Sequence, residues 1–339
     1  MRRRIAAASA LALLALPAAA AAHPDEPAGG HSTLNPQGAG ADILGEEVRT
    51  LLILGAAVYV LVLVILAAIV FRHRRPVTAD EPVFAHEKAG RRWIWGGGLA
   101  LPLIVISAVL AVSAHTLTAL GTPRRDAPLT IEVYGHRWWW EVVYPDGGVR
   151  SANEMAIPVG RPVTVKLRTK DVIHSFWVPE LTRKVDLTPG KVGSVEITAR
   201  DPGYFRGECA EFCGLQDARM TFRVLALPPD EFDTWRRSQG RPAVAPDTDS
   251  ERAGQRVFLD TCAACHTIAG TPAAGQIGPD LTHLASRRTI AAGTLPNNRG
   301  SLGGWISDPQ AIKRGAQMPP NRLSGRDLQA LLDYLEELE

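Results

Sequence analysis

Two long apolar runs limit what this chain can fold into more than any other feature. LLILGAAVYVLVLVILAAIVF (51–71) and WIWGGGLALPLIVISAVLAVSA (93–114) carry no Asp, Glu, Lys or Arg. A helix rises about 1.5 Å per residue, so runs of this length cross a hydrocarbon core of about 30 Å. A helix lying on a soluble domain keeps a polar face, and neither run has one. The expectation is a transmembrane hairpin over 23–120, with spans at about 51–71 and 93–114.

The loop joining the runs holds Arg72, Arg74, Arg75, Lys88, Arg91 and Arg92, the most basic segment flanking either span. Basic loops stay on the cytoplasmic side, so residues from 121 onward are expected outside the cell membrane, which is of bacterial type and crossed more than once. The chain opens with MRRRIAAASALALLALPAAAAAH, a basic start, an apolar stretch from Ile5 to Leu16 and small residues after Pro17. Residues 1–22 therefore read as a secretory signal, and an uncleaved anchor gives the same orientation. The net charge of +2 offers nothing to attract a nucleic acid.

Beyond the hairpin the pattern changes twice. LTIEVYG, RWWWEVVYP, RPVTVKLRT, SFWVPE, GSVEITA and MTFRVLAL are short, partly alternating runs separated by Gly and Pro. They predict an antiparallel β-sandwich over 121–228. Residues 229–249 end in RPAVAPDTD and read as a linker. From 250 to 339 the period is helical: Ser250 and Ser324 are expected caps, and Leu328, Leu331, Leu332, Leu335 and Leu338 recur on one face. This last segment balances nine basic against nine acidic residues, so it offers little long-range steering to a charged partner.

The four cysteines come in two close pairs, Cys209 with Cys213 and Cys262 with Cys265. Two disulfides are one reading in an oxidising compartment, but loops that short gain little from a bridge. Other ligand-type residues accompany each pair, which favours cofactors. CAACH (262–266) is a haem-attachment motif: two thiols on one turn add to the haem vinyl groups, and His266 then lies under the iron. Met318 in GAQMPP is the expected second axial ligand, with His283 as its competitor. In IGPDL (277–281) a backbone carbonyl is expected to fix the imidazole through its N–H. The segment resembles a class I cytochrome c.

CAEFCGLQDARM (209–220) adds two thiols and a thioether, and His174 in DVIHSFWVP lies upstream. One distant histidine with a late Cys/Met loop is the layout of cupredoxins, and soft sulfur ligands favour copper. A membrane-anchored copper chaperone or thiol oxidoreductase is a rival reading of the C-x3-C pair, but it has no use for a covalent haem.

With YGHRWWWEVVYPD, ANEMAIPVGRPV, DVIHSFWVPEL, CAEFCGLQDARM and RGSLGGWISDPQAIKRGAQMPP, nearly the whole chain resembles haem–copper cytochrome c oxidase subunit II with a fused C-terminal cytochrome c domain. The resemblance implies a two-helix membrane hairpin, a cupredoxin-like sandwich and an all-α haem domain. It implies a binuclear copper centre, CuA, held by His174, Cys209, Cys213, Met220 and the backbone carbonyl of Glu211. The Glu211 side chain would face a magnesium ion shared with subunit I, and Trp138 would pass electrons into copper. Electrons would arrive from a cytochrome c or the quinol–cytochrome c reductase at haem c on Cys262 and Cys265, ligated by His266 and Met318. Subunits I and III are the implied partners; oxygen chemistry belongs to subunit I, so no catalytic residue is assigned here. Lys184 and Asp186 lie in the stretch that faces the haem-bearing subunit in relatives.

One departure is sharp. The family places a histidine eight residues after the first cysteine, where this chain has Asp217. The other histidines are distant in sequence, and folding alone decides whether His136 approaches. A carboxylate is a harder ligand that favours the oxidised metal. The expectation is a copper site weakened or lowered in potential; its rival is an oxidase subunit whose copper centre is defective or absent.

Overall fold

The computed structural model describes residues 32–72, 87–121 and 128–339. The proposed signal over 1–22 and most of the basic loop lie outside the described residues. Helix α1 (Ala39–Arg72) begins well before the apolar run. Its start and the residues just before it are pinned to the sandwich: Gln37 N donates to Glu180 O at 2.7 Å, Ala41 N to Leu181 O at 3.2 Å, and Arg200 pairs with Asp42. Gly38 permits the approach, since a Cβ there would lie 2.5 Å from the Thr198 carbonyl oxygen.

Helix α2 (Glu87–Trp93) runs through a wider π-helical stretch, Ile94–Ala100, into α3 (Leu101–Ala119). Pro102 explains the widening. It has no N–H to donate, its ring crowds the preceding turn, and a π-type turn such as Leu101 N to Gly96 O absorbs the mismatch. Among the described residues two helices, Ala39–Phe71 and Gly90–Ala119, are long and apolar enough to cross a membrane by length and composition. Ser113 Oγ donates to Glu47 Oε1 at 2.6 Å, tying them together near the sandwich end.

The sandwich has ten strands. One sheet holds β1 (Leu129–His136), β2 (Trp139–Tyr144), β3 (Val149–Ala152), β5 (Val163–Thr169) and β8 (Gly193–Ile197), in the order β3-β2-β1-β5-β8. The other holds β4 (Glu154–Pro158), β6 (His174–Trp177), β7 (Val185–Leu187), β9 (Gly203–Cys209) and β10 (Thr221–Leu227), in the order β4-β10-β9-β6-β7. Parallel pairing of β1 with β5 and of β4 with β10 makes both sheets mixed. Leu129, Ile131 and Val133 alternate inward from β1. They meet an aromatic core in which Trp140 lies 5.9 Å from Phe176 and 5.3 Å from Phe222 between ring centroids.

Residues 229–249, expected as a linker, begin with helix α4 (Pro229–Gln239). Phe232 is buried, and Trp235 packs edge-on to Tyr144 at 5.4 Å. Irregular chain is confined to 240–248.

The last domain comprises α5 (Asp249–Thr261), a short pair β11 (Thr289–Ile290) and β12 (Leu295–Pro296), then α6 (Arg299–Ser307), α7 (Pro309–Ile312) and α8 (Gly325–Glu336). Thr248, not Ser250, caps α5, in a capping box with Glu251; the Ser250 hydroxyl donates instead to Asp333. Ser324 caps α8. Helices α5 and α8 cross at Gly254, where a Cβ would lie 2.0 Å from Ala330 O. Phe258, Leu331, Tyr334 and Leu335 form the core at that crossing.

Candidate metal centre and haem pocket

The strand order brings together residues far apart in sequence. Cys209 ends β9, Met220 immediately precedes β10, and Cys209 N donates to Met220 O at 3.0 Å, closing the loop between them. Strand β6 pairs with β9, which sets buried His174 beside the loop's mouth. Cys209 Sγ lies 3.8 Å from His174 Nδ1 and 3.7 Å from Cys213 Sγ, and Cys213 Sγ lies 3.8 Å from Met220 Sδ. The Glu211 carbonyl oxygen is 3.2 Å from Cys209 Sγ. All four cysteines are free thiols.

This donor set fits a soft metal. Metal–thiolate bonds of about 2.3 Å at a tetrahedral angle separate two sulfurs by about 3.8 Å. The observed 3.7 Å between Cys209 and Cys213 sulfurs matches that spacing. Asp217 is where the missing histidine would be, with Oδ1 3.3 Å from Cys213 Sγ. His136 does not replace it: its ring stacks on Trp139 at 4.2 Å and its Nε2 lies 3.2 Å from Glu141 Oε2.

The cysteines' shared hydrogen bond pulls Cys209 down to about 5; burial opposes this and His174 reinforces it. The same bond, burial and the Asp217 carboxylate push Cys213 up.

Two supporting residues are absent from the ligand set expected from the sequence. Asp171 Oδ1 lies 2.8 Å from His174 Nε2, which leaves Nδ1 facing the cysteine. Burial favours a raised Asp171 carboxyl, but the His174 ring and the backbone N–H groups of Val172 and Arg137 outweigh it and hold it low. For His174, burial acts to lower the imidazole and the partners Cys209 and Asp171 leave it raised. Gly135 is the second: a Cβ there would lie 2.7 Å from His174 Cδ2. An aspartate three residues before a histidine was the available clue to Asp171; nothing local marked Gly135.

The Glu211 carboxylate sits at the surface, with Oε2 3.8 Å from Lys184 Nζ. Phe212 and Leu215 beside it are exposed.

In the last domain a cavity is lined by Cys262, Cys265, His266 and Met318 with Phe258, Leu281, Leu302 and Leu331. Its apolar walls suit a haem, and both thiols open onto it. His266 Nδ1 lies 2.8 Å from Pro279 O, so the other ring nitrogen is free for a metal. Gly278 leaves room for that ring, since a Cβ there would sit 2.5 Å from His266 Cε1. Burial lowers the His266 imidazole and pushes the Cys262 thiol up to about 11. Gln310 Nε2 donates to Met318 O at 3.1 Å and Ala316 O at 2.7 Å, fixing the methionine loop. His283 is buried elsewhere, its ring nitrogens 2.6 Å from Glu339 O and 3.0 Å from Arg241 O. It does not line the cavity.

The two sites adjoin. Trp138 and Trp139 of the sandwich line the haem cavity. Trp138 Nε1 donates to the Cys213 carbonyl at 3.0 Å. One indole therefore bridges the cavity and the sulfur loop.

Comparison with known proteins agrees with both halves. The family model for the periplasmic domain of cytochrome c oxidase subunit II matches residues 147–227, and that for cytochrome c matches 251–339. Cytochrome c oxidase subunit 2 of Alkalihalophilus pseudofirmus is 34% identical over 318 residues, 91% of this chain and 91% of that protein. The protein of the same name from Bacillus sp. strain PS3 is 32% identical over 256 residues, 71% of this chain and 70% of its own. Among solved structures, the periplasmic domain of subunit II of cytochrome oxidase of Bradyrhizobium japonicum is 31% identical, with a TM-score of 0.33, covering 34% of this chain and 94% of that one.

Proposed function

The chain belongs to the cytochrome c oxidase subunit 2 family of haem–copper terminal oxidases, and on that premise we propose that it accepts electrons at a covalent haem c and passes them through a copper pair to subunit I. The observation that carries this reading is the position of Trp138, which lines the haem cavity and is hydrogen-bonded to the Cys213 backbone.

Cys262 and Cys265 would hold the haem covalently, with His266 and Met318 on its iron. His174, Cys209, Cys213, Met220 and the Glu211 carbonyl would hold the copper pair, with Asp217 at its remaining position. Both groups supply one-electron chemistry. Their surroundings fix the donors: Pro279 O sets the His266 ring, and Asp171 sets the His174 ring. The Glu211 carboxylate is offered to a magnesium ion shared with subunit I. Subunits I and III are the partners in the membrane, and the copper and haem domains face away from the cytoplasm. The donor is a cytochrome c or the quinol–cytochrome c reductase.

The carboxylate at 217 weakens the copper site or lowers its potential. The test is the copper-to-haem ratio and the electron paramagnetic resonance spectrum of the purified complex. Two copper ions in this chain per covalent haem, sharing one unpaired electron, are expected. Asp217→His should tighten binding and raise the potential. If the parent complex holds no copper in this chain, the relay fails and the copper-free reading replaces it.

A further inference from the structure

Lys313 is buried with its ammonium among three backbone carbonyls from three separate segments. Nζ donates to Trp138 O at 3.0 Å, to Arg219 O at 2.8 Å and to Ala291 O at 3.2 Å. An ammonium has three donors, and here each has one acceptor. Trp138 is the indole between the two sites, Arg219 directly precedes Met220, and Ala291 belongs to the haem domain.

The haem domain bends its backbone to complete the arrangement. Ala291 and Ala292 adopt φ of 54° and 57°, and Gly293 follows at 75°. Alanine resists this left-handed region, and strain of that kind persists only where its surroundings fix it. The turn aims Ala291 O at Lys313, and Ala292 O accepts from Thr221 N at 3.2 Å and Thr221 Oγ1 at 2.9 Å. Nearby, Gln216 Nε2 donates to Arg314 O at 2.6 Å and Arg219 donates to Ile312 O. An apolar side chain would fill the space with less desolvation cost than a lysine. What it would lack is directional bonding to three segments at once.

We infer that Lys313 is a positioning residue that fastens the haem domain to Trp138 and to the residue before Met220, keeping the haem cavity at one fixed separation from the sulfur loop. The inference rests on the proposed relay for its purpose, but the fastening is measurable without copper.

The experiment uses the full chain in its purified complex, parent against Lys313→Met. Hydrogen exchange at residues 219–221 and 291–293 should rise about tenfold or more, while α5 and α8 keep their protection. After rapid reduction of the haem by a small soluble reductant, transfer to copper should slow by about tenfold to a hundredfold, since small misplacements cost that much. Covalent haem content and the rate of reduction by the reductant itself should not change. Should Lys313→Met fail to load haem, Lys313→Gln retains one donor group and should give the same changes at smaller size. Parental exchange and parental transfer in the loaded variant overturn the inference. If the parent itself transfers nothing to copper, that outcome counts against the relay, and exchange alone decides for or against the fastening.

Discussion

At Gly135 the backbone of β1 gives way to an imidazole. Because a Cβ there would fall 2.7 Å from His174 Cδ2, Gly135→Ala should push the ring off Asp171. Overpacking of this kind costs about 1–3 kcal/mol. Copper titration of the purified complex should show weaker binding than in the parent; unchanged affinity would mean that the ring has other room. The example also marks where sequence reading stops at this scale. Cys209, Cys213, Met220 and His174 were legible because sulfur and imidazole at such spacings are few and chemically pointed. Gly135 and Asp171 act on His174 through folded contacts, and neither residue type is unusual where it stands. Asp217 was visible only as a departure from a pattern; its closeness to Cys213 needed coordinates.

Elements were legible where their periodicity faced one core. Strand β1 alternates plainly, whereas all five residues of β4 are buried and give no alternation to read. Helix α4 was hidden for the opposite reason: its sequence, PDEFDTWRRSQ, is mostly polar and offers only buried Phe232 and half-buried Trp235, three apart, as an inward face. That pair nevertheless anchors the helix to the sandwich through Tyr144. Phe232→Ala should lower the stability of the sandwich by about 3 kcal/mol, measured by chemical denaturation of the purified protein. A loss below about 1 kcal/mol would show that α4 rides on the surface without supporting it. Pro102 lies within the second apolar run, but the widened turn before it follows from backbone geometry that hydropathy does not report.

At the scale of the molecule, the sequence divided the chain into its parts but gave no sign of how they meet. Buried Glu154, on β4, accepts from Arg288 N at 2.8 Å and Thr289 N at 3.2 Å, both through Oε1. Burial raises its carboxyl, and the two N–H groups and the nearby Arg287 and Arg288 charges do not cancel the effect. A raised folded value means that this contribution to stability is complete below the unfolded value of about 4.3 and is lost as pH rises through the folded one. Glu154→Gln keeps the accepting oxygen and removes the titration. The melting temperature of the parent relative to this variant should therefore fall as pH is raised from about 4 toward neutrality. A difference that stays flat over that range would show the carboxyl to be unperturbed.

The irregular stretch 240–248 between α4 and α5 is nine residues long. A chain of that length reaches at most about 30 Å even when fully extended. A haem domain that came loose would still face its dock at an effective concentration in the millimolar range. Re-docking is then a first-order event, indifferent to how many carrier molecules the cell makes. On the proposed relay, each copy of this chain would bring its own carrier at fixed one-to-one stoichiometry, and competition among soluble proteins would be left to the step before it.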